Sequence, residues 1–252
     1  MYDKSILRTD IIRALLDNGA LCEREICNAV GASRGTVTAA LEELDTVLER
    51  VGKGYFLSDR LAVLILRVKR EEIGIRAYFS GKGVLEDIAL PLSLALTREA
   101  ATAQSLASLD KYRRAIEGKG YRVICCMIGS AVGARPHSLP DIISAFDHIE
   151  ELTARALGRS LSGSSVYVAD VSFMCVDSKA VTRSVDTPSG LYDFLEGYLC
   201  HVLPSRVVIE GKSSESIVEL CRKRRVECCF LESADRLYIY EKEMIAAALA
   251  RI

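Results

Sequence analysis

Ser33-Arg34-Gly35-Thr36-Val37-Thr38 sets a hydroxyl helix cap, a guanidinium and two threonine hydroxyls along one short stretch. These are the groups that hydrogen-bond base edges and phosphate oxygens, and a helix N-terminus adds backbone N–H donors aimed at anions. A little further on, Arg50 and Lys53 flank a Gly52-Lys53-Gly54 turn, where cations would project from a hairpin. The chemistry implied is noncovalent recognition of double-stranded DNA. The candidate contacts are Ser33, Arg34, Thr36, Thr38, Arg50 and Lys53.

The elements that must position these groups are legible around them. Ile6, Ile11, Ile12, Leu15 and Leu16 form a helical stripe that Asn18-Gly19 ends, predicting a first helix over about 5–18. Ile26 and Val30 lie four apart on a second helix, and Gly31-Ala32-Ser33 is the turn out of it. Ser33 is a good N-cap for a third helix, whose Val37, Leu41 and Leu44 form the inward seam. Arg34, Gly35, Thr36 and Thr38 fall on the other side. Val47–Val51 and Tyr55–Leu57 then read as two strands of a hairpin, completing a winged helix-turn-helix. Cys22 stands where Ser or Thr would cap the second helix, with Glu25 at capping-box spacing, so a weak helix start is expected.

Charge gives this reading little help. The whole chain carries a formal net charge of −1, and residues 1–60 hold eight Lys/Arg against ten Asp/Glu. DNA contact must rest on locally placed cations. The acidic Glu42, Glu43, Asp45 and Glu49 suit the alternative of a three-helix module that binds only protein.

Nine cysteines in 252 residues, an odd number in a chain without a signal-peptide pattern, read as reduced thiols. Cys125-Cys126 and Cys228-Cys229 sit inside apolar strand-like runs and are expected to pack as small hydrophobes. LAVLILRVKR is interrupted by Arg67 and Lys69, short of the roughly 20 apolar residues of a membrane span, so no membrane partner and a cytoplasmic location are expected.

From Leu61 the periodicity turns strand-like. LAVLILRV, IGIRAYFS and VLEDIALPL predict an antiparallel meander, followed by a helix over about 97–116, a buried strand over 121–128, and a helix from Pro140 to near Gly158. A similar order restarts at Ser165: strands VYVADVSF and MCVDSKAVTRS, a helix over about 189–202, the strand Arg206–Glu210, a helix near 213–224, the strand Val226–Phe230 and a last helix from Glu241. Strands alternating with helices in two like units predict an α+β or α/β protein with two similar lobes.

With those segments in hand, the chain resembles the ROK family, whose repressors join a winged helix-turn-helix to an actin-like (ribonuclease-H-like) sugar-kinase domain. The resemblance lies in LAVLILRVKREEIGIRAYFSGKGVLEDIALPL, ICCMIGSAVGARP, RVVIEGKSSESIVELC and EKEMIAAALARI, and spans nearly the whole chain. It implies a reading module over 1–60 and an actin-like effector and dimerisation domain over 61–252, with lobes of about 61–164 and 165–252.

The departures from that family concern its catalytic parts. Val68-Lys69-Arg70-Glu71-Glu72 stands where the first Gly-rich phosphate loop belongs and contains no glycine. Neither the Asn-Asp pair expected between Leu161 and Ser165 nor the His/Cys zinc motif is present, and the domain is shorter than a complete kinase. Asp170 precedes Val171-Ser172-Phe173 rather than glycines, and Glu210-Gly211 replaces the glycine pair near the adenosine. Gly129–Gly133 reads as a tight turn without a Lys, and Arg222–Arg225 as a cationic helix end. No Gly-x-Ser-x-Gly occurs, and His137, His148 and His201 specify no triad.

The expected protein is therefore a homodimeric, DNA-binding transcriptional regulator with a degenerate actin-like domain. That domain would sense a small, sugar-like effector, with no cofactor, metal or catalytic residue. The alternatives are a sugar kinase or nucleotide-binding enzyme with a helical N-terminal module, which would need to bind ATP, and a structural adaptor.

Overall fold

A computed structural model describes residues 4–68, 73–82, 84–89, 98–129, 142–144, 165–168, 172–177, 180–186, 191–210, 215–231 and 239–251. The chain opens with helices α1 (Lys4–Asn18), α2 (Glu23–Val30) and α3 (Arg34–Glu43). Leu7, Ile11, Ile12 and Leu15 bury one face of α1 against Ile26 and Val30 of α2 and Val37, Ala40 and Leu41 of α3. Gly31 stops α2 at φ 67°, a left-handed conformation that its missing Cβ permits, and its N–H donates to the Cys27 carbonyl at 2.9 Å.

Strands β1 (Leu21–Cys22), β2 (Leu48–Val51) and β3 (Gly54–Leu57) form a sheet in the order β1-β3-β2. The hairpin is the expected one. The third strand is new: two residues between α1 and α2 pair with β3, Leu21 against Tyr55 and Cys22 against Gly54, too short a run for any periodicity to reveal.

The weak start expected for α2 is offset. Cys22 takes the N-cap position, and its backbone N–H donates to the Glu25 carboxylate at 2.7 Å. That bond also holds Glu25 below the usual carboxylate range. The other half of the box falls to a thiol, a weak acceptor. Cys22→Ser is therefore expected to raise the unfolding free energy by about 0.5–1 kcal/mol, read from urea midpoints at unchanged slope. An unchanged midpoint would mean the thiol caps as well as a hydroxyl.

Beyond Leu57 the chain builds two sheets of the same plan. The first contains β4 (Leu61–Val68), β5 (Ile73–Phe79), β6 (Val84–Ala89), β7 (Arg122–Gly129) and β8 (Ile142–Ser144), ordered β6-β5-β4-β7-β8, with α4 (Arg98–Glu117) between β6 and β7. The second contains β9 (Ser165–Val168), β10 (Ser172–Asp177), β11 (Ala180–Asp186), β12 (Arg206–Glu210) and β13 (Glu227–Leu231), ordered β11-β10-β9-β12-β13. Helix α5 (Leu191–His201) joins β11 to β12, and α6 (Glu215–Arg224) joins β12 to β13. In each sheet three antiparallel strands are followed by two parallel ones, which need long crossover connections. Helix α7 (Ile239–Leu249) closes the chain.

Two expectations are corrected. The two strands predicted over 166–184 are three, Ser165–Val168, Ser172–Asp177 and Ala180–Asp186, each antiparallel to the next, and this makes the second unit match the first. The helix predicted from Pro140 is not one at Ile142–Ser144, which pairs in parallel with Cys125–Met127. A β-branched Ile-Ile pair beside a buried strand favours the sheet over the helix that a proline start suggests. The rest of that predicted helix lies outside the described residues, as do Lys69–Glu72, Gly133 and Asp170.

The core shows how the parts are joined. Ala62, Leu64 and Leu66 of β4 face Leu109 and Ile116 of α4, while Leu61, Val63 and Ile65 face the opposite way. That second face shares one continuous cluster with α1–α3, with Val208 of the second sheet, and with Met244, Ile245, Ala246, Ala248 and Leu249 of α7. Cys125 and Cys126 fall in the two different clusters, as alternation requires, and burial pushes the Cys126 thiol up to about 12.

Ion pairs also tie α7 to both partners. Glu241 is fully buried and takes both carboxylate oxygens to Arg76 Nη1 of β5, each at 2.7 Å. Arg13 of α1 bridges Asp10 at 2.8 Å and Glu243 at 3.1 Å, and Glu243 is 1% exposed. Lys242 meets Asp17 at the surface at 3.1 Å. An exposed pair contributes about 0–1 kcal/mol and each buried Leu or Ile roughly 1.5–3, so the shared core sets how α1 sits on α7.

Candidate nucleic-acid interface

The N-terminal half of α3 is built to face outward. Val37, Ala40 and Leu41 take its inner side, which leaves Ser33, Arg34, Gly35, Thr36 and Thr38 exposed. Ser33 is the N-cap, at φ −67° and ψ 153°; its hydroxyl accepts from the Thr36 N–H at 3.4 Å and lies 2.7 Å from the Thr36 hydroxyl. Ser33 and Thr36 are thus partly engaged with each other.

Arg34 and Thr38 meet a residue that the sequence pattern does not single out. Glu23, the first residue of α2, accepts from Arg34 Nε at 3.1 Å and Nη2 at 3.3 Å, and from the Thr38 hydroxyl at 2.6 Å. The Arg34 hydrogen bond is the main reason the Glu23 carboxyl lies below its usual range, and the same pair holds the guanidinium above its own. Glu23 therefore stays ionised at any neutral pH. At the N-terminus of a helix, Glu reads as a dipole-complementing residue, and only the packing of α2 against α3 brings it to Arg34.

On the wing, the Arg50 guanidinium lies 5.4 Å from the Tyr55 ring centroid and its Nε donates to the Gly52 carbonyl at 3.2 Å. Lys53 is exposed in the turn, and Val51 beside it is 71% exposed. The four acidic residues that suit a protein-binding surface are partly accounted for. Glu43 pairs with Lys4 at 3.0 Å and with Arg8 at 3.7 Å, and Glu49 accepts from the Ser58 hydroxyl. The six candidate contacts thus lie on two neighbouring features, the start of α3 and the β2–β3 hairpin, with Glu23 added to them.

Elsewhere, Glu210 at the end of β12 is buried and accepts the Ile239 N–H through both oxygens, at 2.9 and 2.8 Å. It holds the first residue of α7. Among the described residues no group of three His, Cys, Asp or Glu side chains is placed to hold a metal ion, and no helix is long and apolar enough to cross a membrane.

Residues 4–45 match the family model for winged helix-turn-helix DNA-binding domains. The fold class is a winged helix-turn-helix module whose core is continuous with an actin-like arrangement of two five-stranded sheets. The fold of nearly the whole chain is that of a ROK family transcriptional regulator, a homolog of the E. coli MLC protein. Its crystal structure covers 98% of this chain and 96% of its own, with a TM-score of 0.59 at 11% identity. More distant likenesses include the ethanolamine utilization protein EutJ from Carboxydothermus hydrogenoformans, at a TM-score of 0.44 and 9% identity over 83% of this chain and 94% of that one. Another is the inorganic polyphosphate/ATP-glucomannokinase from Arthrobacter sp. strain KM, at 0.43 and 15% over 75% and 97%. No curated protein matches the chain by sequence.

Proposed function

We propose that this protein is a sequence-specific DNA-binding transcriptional regulator. Residues 1–60 read double-stranded DNA, and residues 61–252, in lobes of about 61–164 and 165–252, pair two copies and sense a small, sugar-like ligand without phosphoryl transfer. The observation that carries this reading is the outward-facing start of α3, where Arg34 is 83% exposed beside Ser33, Thr36 and Thr38 in a module whose other face is fully packed. Recognition helices enter the major groove by that end, and the wing cations Arg50 and Lys53 would meet the phosphate backbone.

Dimerisation follows from the size of one reading head. A single short helix contacts too few base pairs for useful discrimination, whereas two heads read paired half-sites about one helical turn apart. The non-enzyme reading is supported by Glu210, which puts a buried carboxylate where the ROK resemblance expects glycines near the adenosine and engages it with α7. A side chain there takes the space that glycines would leave for a close approach of the adenosine.

Selection from a randomised duplex library with the full-length protein is expected to enrich a two-part motif. On the enriched duplex Arg34→Ala should cost about 1–3 kcal/mol in binding, with the thermal unfolding midpoint unchanged. No enrichment, or no loss on Arg34→Ala, would defeat the assignment of this face.

A further inference from the structure

We propose that Glu23 is the positioning residue that makes Arg34 a base reader instead of a phosphate contact; this rests on the DNA-binding reading above. A guanidinium offers two forks of paired N–H donors, and either can bind a phosphate or a base edge. Glu23 occupies the side fork, Nε with Nη2, through both carboxylate oxygens. The end fork, Nη1 with the outer Nη2 hydrogen, meets no partner among the described residues, on a side chain that is 83% exposed. That fork has the spacing of guanine O6 and N7, the commonest bidentate major-groove contact.

Glu23 does two things at once. It removes rotational freedom from a long side chain before DNA arrives, which lowers the ordering cost of the correct contact. It also sets a negative charge beside Arg34, so a phosphate oxygen approaching the same guanidinium meets a carboxylate, whereas an uncharged guanine edge does not suffer that repulsion. The single hydroxyl hydrogen of Thr38, one turn along α3, is shared between the same carboxylate and the Arg34 carbonyl, fixing the assembly from the other side. The result is selectivity obtained by penalising the nonspecific complex as well as by favouring the specific one.

The test compares full-length wild type, Glu23→Gln and Glu23→Ala on two probes, the duplex enriched by wild type and a scrambled duplex of equal length, across a salt series. Both variants change a half-buried carboxylate at a helix start, so their melting is expected to fall by a few degrees at most, and binding is compared where all three proteins are folded. Releasing Arg34 to phosphates should tighten binding to the scrambled duplex and steepen its log–log salt slope by about one. The ratio of enriched to scrambled affinity should fall roughly tenfold or more, the discrimination that one bidentate base contact supplies. An unchanged ratio and slope, or an equal loss on both duplexes, would show a merely structural Glu23 and overturn the proposal while leaving the regulator reading intact. Failure of wild type to prefer any duplex would overturn both.

Discussion

Arg76→Ala is expected to lower the unfolding free energy by about 3–5 kcal/mol, a large part of a domain's total stability. Glu241 is fully buried and directs both oxygens to Arg76 Nη1, so truncating the arginine removes a buried cation from a carboxylate that stays in the core. The cost comes from desolvation more than from lost attraction, and this gives the prediction a second arm. Replacing both partners with apolar residues of similar volume, Arg76→Met with Glu241→Leu, should recover most of the loss. Urea unfolding of the single and double variants checks it. A loss under about 1 kcal/mol for Arg76→Ala would place the pair among exposed contacts, against its burial.

The second large effect is expected at Arg13, whose guanidinium joins Asp10 of its own helix to Glu243 of α7. Arg13→Ala removes the cation that two buried carboxylates share, and a loss of about 3–5 kcal/mol is expected again. The two variants should differ in where the structure loosens. Arg13→Ala should raise amide hydrogen exchange along α1 and the first turn of α7, whereas Arg76→Ala should raise it in β5 and α7. Arg13→Lys keeps the charge but cannot fork to two acids, so it should fall between wild type and alanine. Equal exchange across the whole chain in both variants would contradict a local tie.

These ion pairs bear on how the protein works. The reading module has no free-standing core; its buried face is continuous with β4 and α7, and α7 also reaches Val208 in the second sheet. On the proposed function, a shift of the sheets would reach α1 through a packed helix instead of a flexible linker. Close-packed cores move as units and deform little, so such coupling would run through the shared core.

The sequence carried the local part of this account. Apolar spacing, Ser33 and the Gly52 turn placed α1–α3 and the β2–β3 hairpin because each signal lies within one element. The two-unit strand order is legible for the same reason, although Asp177 and Ala180 end and begin two strands within a run whose periodicity predicts one. What escaped were relations across space. Glu241 and Glu243 look like solvated residues of a helix's first turn, and only partners 165 and 230 residues away make them interior. Glu23 meets Arg34 because two helices cross at a particular angle, a property of packing that no one-dimensional pattern records. β1 exists only because β3 offers it an edge.

The most direct test of the central claim is the affinity of the full-length protein for its own enriched duplex against a scrambled one, measured at several salt concentrations by fluorescence anisotropy. A sequence-specific regulator should prefer the enriched duplex by roughly a thousandfold or more, with the preference persisting as salt weakens both. Equal affinities at every salt concentration would contradict it.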